Sequence, residues 1–547
     1  MVGVPGRSKA CHNCRQRRIK CGGEVPTCRN CTKSRRTCAG YQRQHAFILS
    51  KEMTEVSSSE TGDSGGRVMI SRYQNKPPDG TPKSKTNPAD ASQIATVIPP
   101  QEMPLHNVFR DRLFAILVEK QLATVAPDSV QIPFTQRNDL MLQVVSLPDL
   151  SPALENTLLA VYLARLGREH KLPSLVHASL GLYTRGMSAM RKEIRYPSSQ
   201  YSDQNLAASL ALLLYEITEC PGGTLQGYMA HYRGTMQLLR MRGAGAHASG
   251  IAHSAFHILR LHTVLPDMSE NKRSFLADPE WRELPWSCPN GKRIAKTPFD
   301  CLIDILLDIP EIGPKRQKVE AMTDPKRILS GCIANINEGY ALESRLAEWF
   351  DSYKETIPGG LYHPKLTTVD SVVDDVERGK LFPVAFHFPA FMVGQNLVYY
   401  WVGLMSVQAH LSFSYTTLEQ LMAVLDAMGR DSLSCSCITD NASPEAGNLK
   451  SLRCLGHFNI NMLPTLGHRE EWPRTTAYNI CQSTEYFLED KIQGFMPASV
   501  LPALVLVKGF WKFAPGNMSR EIAWIDDMLG KISASGSAVA GVIRGLG

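Results

Sequence analysis

Beyond residue 105 apolar side chains recur at helical spacing, and helix-start signals stand in front of them. Ser151 and Pro152 read as an N-cap and a first helical position, followed by Leu154, Leu158, Tyr162 and Leu166. Ser202 and Asp203 precede Leu206, Leu210, Leu213, Leu214 and Ile217, a set that falls on one helix face. Met236 and Leu239 lead to Gly243, a residue suited to a C-terminal cap. Leu105, Phe109, Leu113 and Leu117, spaced by four, predict the first helix of this region. Strand signals are sparse. Asn290-Gly291 has hairpin-turn composition, but Pro289, Lys292 and Arg293 flank it where alternating apolar residues would be needed. Length alone suggests roughly three domains. Few linkers interrupt residues 105–547, so the pattern predicts one large all-α unit there and a mainly α chain.

Two stretches are apolar enough to raise the question of a membrane. Phe382–Val407 is interrupted by Pro383, His387, Pro389, Gln395 and Asn396, which predicts a buried core helix beginning near Pro389. Val500–Phe513 is short and holds Pro502 and Lys508. Neither predicts a membrane partner. The helical pattern fails altogether over residues 49–104. No leucine falls between Leu49 and Leu105, and no phenylalanine between Phe47 and Phe109. Segments such as Pro77-Pro78-Asp79-Gly80-Thr81-Pro82 cannot bury enough apolar surface to offset chain entropy, which predicts a disordered linker. The linker shows no heptad repeat, so a homodimer through a zipper has no support there.

The N-terminal 48 residues have a different logic. Cys11, Cys14 and Cys21 are repeated by Cys28, Cys31 and Cys38 at a constant offset of 17. Structural zinc is tetrahedral and favours thiolate. Two ions need more positions than six separate thiolates supply, so two sulfurs must bridge. By the repeat symmetry the bridges are the first of each triplet, Cys11 and Cys28. A C-x-x-C pair also fits a first helical turn, where the dipole favours thiolate. Two zinc ions would then replace a core too small to form alone. A disulfide framework is the competing reading, but it implies secretion, and Met1–Lys9 has no apolar signal region. The other cysteines (Cys220, Cys288, Cys301, Cys332, Cys435, Cys437, Cys454 and Cys481) show no bridging pattern. His12 is not needed as a ligand.

Charge indicates what this segment touches. Residues 1–45 hold eleven basic side chains and one acid, Glu24, a formal +10 against +7 for the whole chain. Positive charge concentrated in a small module is the footprint of nucleic-acid binding. In the run Arg15-Gln16-Arg17-Arg18-Ile19-Lys20, a helix continued from Cys11 puts Arg15 and Arg18 on one face and Arg17 off it. A short helix of this kind can enter the major groove, where an arginine bonds guanine O6 and N7. No aromatic residue lies between Lys9 and Cys38 to stack on unpaired bases, which favours duplex DNA. A solvated basic surface or a nuclear-import signal is the plainer reading.

The segment from Ala10-Cys11-His12-Asn13-Cys14-Arg15 through Pro26-Thr27-Cys28-Arg29-Asn30-Cys31 to Cys38 resembles the fungal zinc binuclear cluster of transcription regulators. Pro26 matches the loop proline of that family. The resemblance implies a nuclear protein with Cys11 and Cys28 as bridging ligands. It implies that Arg18, with Arg17 beside it, reads a CGG-type triplet, and that Arg15 and Lys20 hold phosphates. Three further segments, Tyr162–Arg168, Leu210–Glu216 and His231–Gly243, resemble more loosely the fungal-specific regulatory domain. That likeness implies a helical scaffold engaging transcription machinery or co-regulators. By analogy it also suggests control of a metabolic or secondary-metabolite gene set.

Enzyme signals are missing. The sequence has no G-x-S-x-G, P-loop, H-E-x-x-H or dinucleotide fingerprint. Cys435-Ser436-Cys437 with His457 or His468 reads as core or loop thiols more readily than as a metal site. Asp370, Asp374, Asp375 and Glu377 fit an acidic activation patch or a solvated helix face. The sequence therefore predicts a sequence-specific regulator with no enzymatic activity. The alternative is a zinc-dependent nucleic-acid or protein-interaction adaptor without promoter selectivity, or with a catalytic C-terminal half.

Overall fold

The computed structural model describes residues 11, 13–14, 17, 19–22, 27–36 and 38, and residues 140–545 apart from 148, 288–293, 430–453, 457, 465–470, 490–491, 493–495 and 515. The linker at 49–104, the helix expected from Leu105, the Asn290-Gly291 turn, Cys435, Cys437, His457 and His468 lie outside the described residues. The chain divides into two compact units, Met1–Pro88 and Ala89–Gly547. Among the described residues of the first, Asn13 and Cys14 are helical and one helix has both ends placed, α1 (Arg29–Lys33).

The described part of the second unit is almost entirely helical. It begins with α2 (Leu140–Val145), α3 (Pro152–Glu169), α4 (Pro173–Glu193), α5 (Asp203–Glu219), α6 (Gln226–Arg242) and α7 (Gly250–Glu270). Shorter pieces follow: α8 (Pro279–Glu283), α9 (Pro298–Leu306) and α10 (Ile312–Glu320). Then come the long α11 (Pro325–Thr356), strands β1 (His363–Leu366) and β2 (Val384–His387), and α12 (Phe391–Ala427). The end is α13 (Glu471–Phe487), α14 (Leu501–Phe513), α15 (Ser519–Ala534) and α16 (Ala538–Gly545).

The helix starts follow the expected caps. Ser151 Oγ accepts from the Leu154 N–H at 3.3 Å with Pro152 in the first turn, and Ser202 Oγ accepts from the Asn205 N–H at 3.1 Å. Gly243, at φ 76°, ends α6. Leu154, Leu158, Tyr162, Leu166, Leu206, Leu210, Leu213 and Ile217 are all buried. α3 packs on α4 and α5, and the C-terminal α16 returns to α5, where Ser537 Oγ donates to the Ile217 carbonyl at 3.2 Å. The second centre of packing is α12, wedged against α11 and α13. Its first half is buried on every side, from Val393 through Val402, as expected of a helix that is apolar all round.

One expectation is met and one needs correction. The apolar stretch at 382–407 holds a buried helix that starts near Pro389, running from Phe391 to Ala427. Ahead of it lies a strand the sequence did not announce, Val384–His387, which pairs antiparallel with His363–Leu366. β1 is exposed along its whole length, so it carries no apolar alternation that would mark a strand. The acidic residues do not lie on a helix face. Asp370, Asp374, Asp375 and Glu377 sit in the loop between the two strands, and the Asp374 carboxylate accepts from the Ser371 N–H at 2.8 Å and the Leu381 N–H at 3.2 Å. Among the described residues no helix is long and apolar enough to cross a membrane.

Candidate metal centre and nucleic-acid interface

The offset of 17 in the cysteines is repeated by the backbone. The Arg17 N–H donates to the Asn13 carbonyl at 3.1 Å and the Ser34 N–H to the Asn30 carbonyl at 3.2 Å. Ile19 N–H to Cys14 O and Arg36 N–H to Cys31 O are both 3.0 Å. Each half is thus a short helical turn closed in the same way. Each also starts on a cysteine. Cys11 Sγ accepts from the Cys14 N–H and Cys28 Sγ from the Cys31 N–H, both at 3.4 Å. A sulfur in the cap position meets the positive end of its helical turn, which favours thiolate.

The sulfurs converge as two overlapping groups of four. One holds Cys11, Cys14, Cys21 and Cys28, the other Cys11, Cys28, Cys31 and Cys38, and within each the ligand atoms lie within 4.8 Å of one another. Cys11 and Cys28 belong to both. Their sulfurs are 3.6 Å apart, Cys14–Cys28 is also 3.6 Å, and Cys11–Cys31 is 3.8 Å. A tetrahedron with zinc–sulfur bonds of ~2.3 Å has edges of roughly 3.8 Å, whereas a disulfide needs about 2 Å. The donor set and its spacing therefore fit zinc. Cys11, Cys14, Cys28 and Cys31 are buried and Cys21 and Cys38 half-buried. Burial pushes the Cys11 and Cys14 thiols up, and that of Cys31 up to about 12. A divalent cation among these sulfurs reverses that tendency, because metal binding releases the thiol protons.

Polar contacts tie the halves together. Asn30 Nδ2 donates to the Lys20 carbonyl, and Arg17 Nη1 to Ser34 Oγ at 3.4 Å. Ser34 Oγ itself donates to the Asn30 carbonyl at 2.7 Å. Arg17 and Lys20 are exposed; Arg15, Arg18 and His12 lie outside the described residues. Arg17 therefore leans toward the second half. Sequence reasoning missed Asn30 and Ser34, although Arg17 and Ser34 stand at the same offset of 17 as the cysteines. Lys33, Arg35 and Arg36 are exposed on the second half, with Arg35 left-handed at φ 50° just beyond α1.

Residues 9–46 match the fungal Zn(2)-Cys(6) binuclear cluster domain. Domains of this kind bind two zinc ions and belong to a family of DNA-binding regulators, not of enzymes. Likeness to a whole protein is thinner. An uncharacterized protein of Emericella nidulans is 26% identical over 121 residues, which cover 22% of this chain and 26% of that relative. The chain thus matches only about a quarter of that relative's length. No solved structure matches.

Proposed function

We propose that the chain is a nuclear, sequence-specific transcription regulator that holds two zinc ions on Cys11, Cys14, Cys21, Cys28, Cys31 and Cys38. Cys11 and Cys28 bridge the ions, the other four each bind one, and the metal supplies the core this segment lacks. The observation that carries this reading is the pair of four-sulfur groups sharing two members. Arg18, with Arg17 beside it, reads a CGG-type triplet in the major groove, and Arg15 and Lys20 hold phosphates. Residues 1–48 form the DNA-binding domain, 49–104 join it to the rest, and 105–547 form a helical regulatory domain that engages co-regulators. The regulated genes are a metabolic or secondary-metabolite set, a point that chromatin occupancy would test.

The deciding experiment is a mobility shift of the full chain on CGG-containing and scrambled duplexes. Selective binding that is lost with chelator and falls steeply with salt is expected. Arg18→Ala should weaken the CGG complex by about 1–3 kcal/mol and relax its selectivity. Equal affinity for both duplexes would replace this reading with an adaptor lacking promoter selectivity.

A further inference from the structure

Two loops of the helical unit are built inside out. The first joins α4 to α5. Its polar groups turn inward and fix the backbone: Ser199 Oγ donates to the Glu193 carbonyl at 2.8 Å, and Asn205 Nδ2 to the Ser199 carbonyl at 2.8 Å. Arg242 donates to the Tyr201 carbonyl from the far end of α6. The apolar side chains of this pinned loop point to solvent, with Tyr196 64% exposed and Tyr201 41%. Arg191, Lys192 and Arg195 stand exposed at the end of α4, and among the described residues none of the three is ion-paired.

The second loop lies between the strands. Asp374 holds it from inside, Arg520 donates to the Gly379 carbonyl at 2.8 Å and the Val373 carbonyl at 3.3 Å, and the Val372 N–H donates to Asp527 at 3.3 Å. Yet Val372 is 77% exposed and Val376 103%, with exposed Asp375 and Glu377 adjoining. Single exposed apolar residues are ordinary. Clusters of them on an immobilised backbone mark a contact surface, because docking then costs little ordering entropy. Tyrosine and arginine are the residue types that interfaces favour. One loop is aromatic and basic; the other is aliphatic and, even with Arg378 exposed after Glu377, net acidic, so the two are complementary in charge.

We propose that the helical unit self-associates, with the Val372–Glu377 loop of one copy seated on the Arg191–Tyr201 surface of another. The two valines pack on Tyr196 and Tyr201, and Asp375 and Glu377 face Arg191 and Arg195. This contact needs no zipper in the linker and goes beyond the DNA-reading proposal. The probe is the zinc-loaded full chain in sedimentation velocity across a concentration and salt series. Association that weakens with salt is expected. Arg191→Glu with Arg195→Glu should weaken it about tenfold or more, as should Asp375→Lys with Glu377→Lys. All four changes in one chain should restore self-association while abolishing pairing with the wild type. Val376→Ser, which keeps every charge, should weaken it too. All these side chains are exposed, so unchanged circular dichroism and melting serve as the folding control. A wild type still monomeric at ~100 μM, swaps without effect, or a four-fold variant no better than its halves would overturn the proposal. A chain that associates as described but ignores CGG duplexes would fail only the DNA reading.

Discussion

At the scale of single residues, the cysteines are not equivalent. Cys11 and Cys28 each belong to both sulfur groups, while Cys14, Cys21, Cys31 and Cys38 belong to one. Cys28→Ser should therefore disturb both ions and lower bound zinc from two toward none, whereas Cys38→Ser should strip one site and leave the other populated. Native mass spectrometry of the purified protein reads this directly, and equal losses from both variants would mean that Cys28 does not bridge. That Cys11 and Cys28 fall in both groups was legible in the sequence, because a repeat with a fixed offset imposes a symmetry and ligand counting then leaves two positions to share. The contacts that set the halves against each other were not legible. Asn30 to Lys20 and Ser34 to Arg17 join polar residues that have many plausible partners, and nothing in their spacing prefers one. Ser34→Ala should free Arg17 and slightly loosen the module, with a loss of about 1 kcal/mol in zinc-loaded melting.

At the scale of elements, the close approaches are set by glycine. A Cβ at Gly186 on α4 would stand 2.5 Å from Thr157 Cγ2 and 3.2 Å from the Thr157 backbone nitrogen on α3. The backbone atom cannot move away without shifting α3, most of whose residues are buried. Gly186→Ala should therefore destabilise by about 1–3 kcal/mol, although alanine is the better helix former. A melting temperature equal to wild type would show that the α3–α4 contact has slack. The helices themselves were well marked. Ser151, Ser202 and Gly243 cap where their chemistry says they should, since a cap is a local bargain between one side chain and an unsatisfied backbone group. The strand pair was hidden for the opposite reason. β1 is the polar, exposed His363-Pro364-Lys365-Leu366, and it becomes a strand only because β2, whose Phe386 and His387 are buried, lies against α13 and offers its free edge.

For the whole helical unit, buried titratable groups set a pH window. His247 is fully buried between Phe256 and Trp281, and His410 nearly so, with its Nε2 3.2 Å from the Asn335 carbonyl. In both, the other ring nitrogen has no partner among the described residues. Burial lowers each to about 4 from an ordinary 6.5. Between those values the unfolded chain binds a proton that the folded one refuses. Their contribution is thus complete above pH 6.5 and is lost as pH falls toward 4, on the order of 3 kcal/mol for each. Asp267 works in the opposite sense. Burial raises its carboxyl to about 7 from 3.8, so the folded chain keeps a proton that the unfolded chain has released, and stability falls as pH rises toward 7. Burial raises Glu216 as well, with the same sign. Burial lowers His231 and His262 to about 4 as well, so the histidine losses outweigh the aspartate gain below pH 6.5, and melting temperature should rise from about pH 5 to about pH 6.5. Asp267→Asn removes the opposing slope, so its advantage over wild type should be larger at about pH 8 than at about pH 5. An asparagine variant shifted equally at both would show that Asp267 is ionised in the folded protein.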